Sequence, residues 1–129
     1  MKSATLLIKE WFLDFYKDKS MDELYYDVIT SLSIRCYLNS KKKGFWHSPR
    51  NKGEMIALMH SELSEMLEGI RKPGPDSHCP NFTSEEIELA DLLIRAFDYA
   101  GGFKLRLAAA IEAKMEFNLG RPHKHGKGF

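Results

Sequence analysis

Apolar positions along this chain recur at three- and four-residue intervals, the spacing of one face of an α-helix. The clearest arc runs through Met55, Ile56, Met59, Leu63, Met66, Leu67 and Ile70. A denser one covers Ile87, Leu89, Ala90, Leu92, Leu93, Ile94, Ala96, Phe97 and Tyr99. Start and stop signals then divide the sequence. Ser20 and Glu23 have the spacing of a capping box, predicting a helix that runs to about Leu38. Asn51 has N-cap character and opens a helix that must end before Lys72, Pro73, Gly74 and Pro75. Thr83 and Glu86 open a third helix, which stops at Gly101 and Gly102. A fourth is predicted from about Lys104 to Leu119, ending at Gly120 with Pro122 just beyond. An amphipathic stretch from Thr5 to Lys17 adds a short helix at the front. No segment alternates with a period of two, and none repeats. The expectation is an all-α single domain over residues 1–129, a bundle of four to five helices, with residues 1–19 as an N-terminal extension.

Four carboxylates break the apolar pattern. Glu62 and Glu65 are three residues apart on one helix, and Glu88 and Asp91 repeat that spacing on the next. A separation of three puts both members of a pair on one face. At about 100° per residue, Glu62 falls inside the apolar arc and Glu65 at its edge. The following helix is apolar around most of its circumference and so should be largely buried. Its polar strip is Glu88, Asp91, Arg95 and Asp98. Two such helices packed antiparallel would gather four negative charges in a small volume, at a cost of several kcal/mol unless a positive charge joins them. A hard divalent cation, which takes oxygen ligands, answers that need. Salt bridges to Arg95 and Arg71 are the simpler alternative.

Length and composition narrow the class. A chain of 129 residues holds one modest core and is short for two. Its 43% hydrophobic and 29% charged content are those of a globular protein. A formal net charge of +1 gives no general argument for binding nucleic acid or a membrane. Cys36 and Cys79 lack the spacing of a zinc site or a disulfide framework, and reduced thiols fit best. No stretch reaches the roughly 20 apolar residues of a membrane span, and the first dozen residues do not read as a signal peptide. The expectation is a cytoplasmic protein.

Between the first two long helices lies a basic loop with Lys41, Lys42, Lys43, Phe45, Trp46 and His47. Exposed aromatics beside lysines suit stacking on a planar group next to phosphates. Trp46 and His47 are the candidates for contacting a base, with Trp46 tucked into the core as the alternative. The tail, residues 121–129, carries Arg121, His123, Lys124, His125 and Lys127 and no acid. It follows Lys114 and Asn118, which share a helix face. A metal cage beside a basic tail is the arrangement a phosphate chain needs.

The pairs Glu62 with Glu65 and Glu88 with Asp91, 22 residues apart, resemble the ExxE and ExxD signature of MazG-like nucleoside triphosphate pyrophosphatases. Arg95 and Asp98 continue that pattern. Lys114 and Asn118, followed by Arg121, Pro122, His125, Gly126 and Lys127, are similar to that family's C-terminal run. The likeness covers about two-thirds of the chain and leaves residues 1–19 unplaced. It implies a MazG-like all-α fold completed by oligomerisation, as a homodimer or homotetramer. It also implies hydrolysis of a nucleoside triphosphate between the α and β phosphates. Under it, Glu62, Glu65, Glu88 and Asp91 would be the catalytic carboxylates and would ligate Mg²⁺ or Mn²⁺. Lys114, Arg121 and Lys127 would hold phosphates, with Asn118 and His125 as further polar contacts. Asp98 would support the site or touch the sugar. Among bases the first candidate is a purine deoxynucleotide such as dGTP.

Two other classes use comparable residues. A di-iron carboxylate bundle needs a histidine three residues after a glutamate on two helices, and neither Glu62 nor Glu88 has one. A non-catalytic interaction module would use the acidic strip and basic tail to pair subunits.

Overall fold

The computed structural model describes Glu10, Asp14 and residues 17–128. The front helix expected over Thr5–Lys17 falls almost wholly outside the described residues. Among those residues the protein is all-α, a bundle of four helices with no strand. Helix α1 spans Met21–Lys42, α2 Lys52–Arg71, α3 Ser84–Gly102 and α4 Leu107–Leu119. A short 3-10 turn, His123–Gly126, follows. No described helix is long and apolar enough to cross a membrane. The chain forms two compact units. One is Ser31–Arg106, which holds the second half of α1 with all of α2 and α3. The other contains the first half of α1 together with α4 and the tail.

The helix starts follow from local hydrogen bonds. Ser20 and Glu23 form the reciprocal cap of α1: the Glu23 amide donates to Ser20 Oγ at 3.2 Å, and the Ser20 amide donates to Glu23 Oε2 at 2.9 Å. Asn51 Oδ1 accepts from the Glu54 amide at the start of α2. Thr83 and Glu86 make the full capping box of α3. Its amide and hydroxyl donors hold the Glu86 carboxyl below the usual range.

The helix ends differ from expectation in two places. Helix α1 runs four residues past Leu38, because no glycine or proline interrupts it before Gly44, which turns the chain at a φ of 92°. Helix α4 starts at Leu107 rather than Lys104. Lys104 sits in the left-handed region at a φ of 53°, in a turn closed by its amide to the Gly101 carbonyl and by the Leu105 amide to the Ala100 carbonyl.

Helices α2 and α3 are antiparallel neighbours. The end of α2 meets the start of α3, where Gly69 lies against Ser84. Halfway along, Glu62 meets Arg95. The connecting loop is tied down by the Asp76 amide on the Phe82 carbonyl and the Ser84 amide on the Gly74 carbonyl. The buried Asp76 carboxylate accepts the His78 and Cys79 amides at 2.8 Å each, which holds it below the usual range.

Contrary to the expectation of a largely buried helix, α3 keeps Leu89, Leu93 and Ile94 44–51% exposed. Within it only Asp98 and Ala100 are buried.

The crossing of α1 and α3 depends on close approach. A Cβ at Gly101 would lie 2.4 Å from the Ser33 carbonyl oxygen, and one at Gly102 would lie 2.1 Å from the Trp46 ring. An alanine would gain up to about 1 kcal/mol of helix propensity, but a clash with backbone costs about 1–3 kcal/mol. Gly101→Ala is therefore expected to lower the urea unfolding midpoint, with a net loss of about 1–2 kcal/mol. Gly120→Ala, whose new Cβ would meet nothing nearer than 3.7 Å, should leave the midpoint unchanged or slightly raised.

Candidate functional site

The antiparallel register of α2 and α3 brings the two carboxylate pairs face to face. One oxygen from each of Glu62, Glu65 and Glu88 lies within 4.8 Å of the others, close enough for a single ion to touch all three. Glu62 is buried, Glu88 half-buried and Glu65 exposed, so the cluster opens on one side to solvent. Asp91, one turn after Glu88, is exposed and stands outside this trio but close enough for Glu62 to act on its charge.

The cations present do not neutralise the cluster. Arg95 Nε donates to Glu62 Oε1 at 2.5 Å. That is the interhelical pair weighed above as the simpler alternative, and it accounts for Glu62. Arg71 makes no ion pair among the described residues, and neither do Glu65, Glu88 and Asp91. Burial first, then the Glu65 charge and the Glu62 hydrogen bond, push the Glu88 carboxyl up. Burial and Glu62 push Asp91 up against the pull of Arg95, and Asp76 adds to the effect. Sequence reasoning missed Asp76, whose proximity depends on how the 72–83 loop folds back.

Asp98 serves a different purpose from its neighbours. Its buried carboxylate accepts Trp46 Nε1 at 2.8 Å, Ser40 Oγ at 2.9 Å and an Arg50 guanidinium nitrogen at 3.3 Å. The Trp46 ring packs edge-on against Tyr37 and Phe103 at 5.3 and 5.4 Å. With its N–H on Asp98, Trp46 is held by the interior of this unit. Arg50 lies over both Phe45 and Trp46. The exposed aromatic of the loop is Phe45. His47 is exposed too, with its ring beside Gly44.

Next to the carboxylates a cleft of about 610 Å³ opens between α1 and α3. Helix α1 lines it with Leu32, Arg35, Cys36, Asn39 and Ser40, and α3 lines it with Asp91, Ile94, Arg95 and Asp98. Leu58, Lys43, Phe45 and Arg50 complete it. Asp91 and Arg95 belong both to this wall and to the surroundings of Glu62, so the cleft borders the cluster. Burial, and then the Asp98 charge, push the Cys36 thiol up, so it is a poor nucleophile at neutral pH. Arg35 was not among the sequence candidates, and Lys43 was named only as part of the basic loop. The helical spacing 35, 39 and 43 was the signal that could have joined them.

The basic candidates at the C-terminus lie in the other compact unit, whereas all four carboxylates lie in Ser31–Arg106. There, Lys114 and Arg121 stand over the Phe117 ring. Arg121 also donates to the His125 carbonyl oxygen at 3.4 Å. Lys124 and His125 adopt left-handed backbone, which rolls the tail into a tight turn. Lys127 closes that turn through its amide, which donates to the Lys124 carbonyl. Asn118 Oδ1 is buried without a hydrogen-bond partner.

No protein-family model, curated protein or solved structure matches this chain.

The cluster makes a thermodynamic prediction. The Glu88 pKa is raised on folding, so the folded chain binds more protons than the unfolded one between the ordinary and the raised value. The metal-free protein should lose stability as pH rises through that window. Glu88→Gln removes the Glu88 share of this dependence, so its melting temperature relative to wild type should climb across the same window in EDTA. Added Mg²⁺ or Mn²⁺ should raise the wild-type melting temperature above the window and shift the variant much less, as followed by thermal unfolding.

Proposed function

We propose that this protein is a metal-dependent nucleoside triphosphate pyrophosphohydrolase of the MazG-like type. One observation carries the reading: three carboxylates converge to within 4.8 Å on facing helices with a single arginine paired among them. The donor set fits a hard divalent cation, being all oxygen and partly exposed. Glu62, Glu65 and Glu88 would hold Mg²⁺ or Mn²⁺, and Asp91 lies beside them. When bound, the ion supplies charge neutralisation and Lewis-acid polarisation of the phosphoryl oxygens.

The chain's own residues do the rest by positioning. A water oxygen attacks the α-phosphorus. The bond from that phosphorus to the α–β bridging oxygen breaks, and its electron pair leaves with pyrophosphate. The proton released by the water passes to a carboxylate of the cluster. Arg95 keeps Glu62 turned toward the site, and Asp98 holds the loop beside it through Trp46, Ser40 and Arg50. The likeness at the C-terminus adds Lys114, Arg121 and Lys127 as phosphate clamps, with Asn118 and His125 as polar partners. The unpaired Asn118 oxygen is consistent with a partner arriving there. The substrate is a deoxynucleoside triphosphate, a purine such as dGTP first, handled in the cytoplasm in control of nucleotide pools.

A panel of nucleoside and deoxynucleoside triphosphates with Mg²⁺ or Mn²⁺ tests this, with monophosphate and pyrophosphate scored separately. Turnover of one or a few substrates to those two products is expected, abolished by EDTA and lowered at least about 100-fold by Glu88→Gln. Orthophosphate as the sole product would mean that the wrong bond had been assigned. The Glu62–Arg95 pair favours a second reading, a purely structural acidic strip in an interaction module. Absence of any turnover would put that reading first.

The enzyme works as a homodimer or homotetramer. The exposed stripe Ile56, Leu63, Leu67 and Ile70 on α2, with Leu89, Leu93 and Ile94 on α3, is the surface a second copy would cover. Light scattering should find an oligomer, and Leu93→Glu should shift it toward monomer. A wild-type monomer at micromolar concentration would remove this part of the proposal.

A further inference from the structure

Of the four cations lining the α1–α3 cleft, two are already committed. Arg95 is paired with Glu62, and Arg50 with Asp98. Arg35 and Lys43 are exposed and have no carboxylate partner among the described residues. They lie eight residues apart, roughly 12 Å along the helix axis. Asn39 sits midway on the same face, and the Lys43 amide continues the helical pattern onto the Asn39 carbonyl. Against these four cations the cleft sets two acids, Asp91 and Asp98. It is therefore net positive, while the neighbouring trio of glutamates is negative. The negative end of the α1 dipole is offset by Lys41 and Lys42 in its last turn. Leu32, Leu58 and Ile94 add apolar lining beside these charges.

Building on the hydrolytic reading above, we propose that this cleft receives the pyrophosphate end of the substrate, held by Arg35 and Lys43 with Asn39 between them. Asp91 and Arg95 line the cleft beside the glutamate cluster, and the cleft carries the charge that matches a polyanion. When the bond to the α-phosphorus breaks, negative charge grows on the leaving pyrophosphate. Arg35 and Lys43 are placed to stabilise it there. Recognition of the leaving pyrophosphate would then lie in Ser31–Arg106, the unit that also carries the carboxylates.

The probe is inorganic pyrophosphate with Mg²⁺, titrated calorimetrically into the full chain and into Arg35→Gln, Lys43→Gln and the double variant. Pyrophosphate should bind the wild type. Its affinity should fall about tenfold in the double variant, with Arg35→Lys close to wild type and thermal unfolding unchanged throughout. No binding to the wild type, or equal binding to the double variant, overturns the proposal. So does a double variant that keeps pyrophosphate but loses affinity for a free nucleoside, since the cleft would then take the other end of the substrate. The two readings fail separately. Pyrophosphate binding that depends on Arg35 and Lys43 without any triphosphate turnover sinks the hydrolytic assignment and keeps the anion site. Turnover with unaltered product inhibition in the double variant does the reverse.

Discussion

A buried carboxylate holds Ser31–Arg106 together. Asp98, only 6% exposed, sits on α3 and draws three donors from segments that precede α2: Ser40 on α1, Trp46 in the loop and Arg50 at its end. An isolated carboxylate could not be buried without a large desolvation penalty, and three donors with one positive charge repay it. The same contacts set the gap between α1 and α3, into which Gly101 and Gly102 let the helices close. Asp98 thus supports the wall from which Arg35 and Lys43 project.

Apolar burial contributes less than usual. Met55, Ala100 and Ala108 are the buried hydrophobic residues among those described, and two of the three are alanines. Polar and charged groups are buried at least as often, at Ser33, Glu62, Asp76 and Asp98. Each of these four has a partner. Such an interior specifies register through directional contacts, while long apolar side chains on α2 and α3 remain at the surface. A protomer built this way gains stability from anything that covers those stripes or neutralises its glutamates. Assembly and ion binding would therefore act on stability as well as on chemistry.

The glutamate cluster and the neighbouring cleft carry charges of opposite sign. Burial first, then the neighbouring carboxylates, Glu65 and Glu62 at Glu88 and Glu62 at Asp91, push the pKa values of Glu88 and Asp91 up. A structural salt-bridge network would have placed a second arginine there. Arg35 and Lys43, which have no carboxylate partner among the described residues, instead line the neighbouring cleft. That separation of charge matches a ligand that carries both cations and phosphates.

The helix starts at Ser20, Asn51 and Thr83 were legible in the sequence, because a cap is made between residues three apart and needs nothing distant. The i,i+3 pairing of Glu62 with Glu65 and of Glu88 with Asp91 was legible for the same reason, and so was the place of Glu62 inside an apolar arc. Tertiary structure alone decided what those residues meet. Trp46 could point to solvent or inward until Asp98, 52 residues away in sequence, supplied a partner for its N–H. Arg95 could serve Asp91 on its own helix until the register of α2 set it against Glu62. Arg35 drew no reading of its own, and Lys43 only that of a basic loop, until the α1–α3 crossing made them the wall of one cleft. Caps and helix faces are determined by neighbours along the chain. Partners across helices depend on crossing and register, which are collective properties of packing that no local pattern encodes.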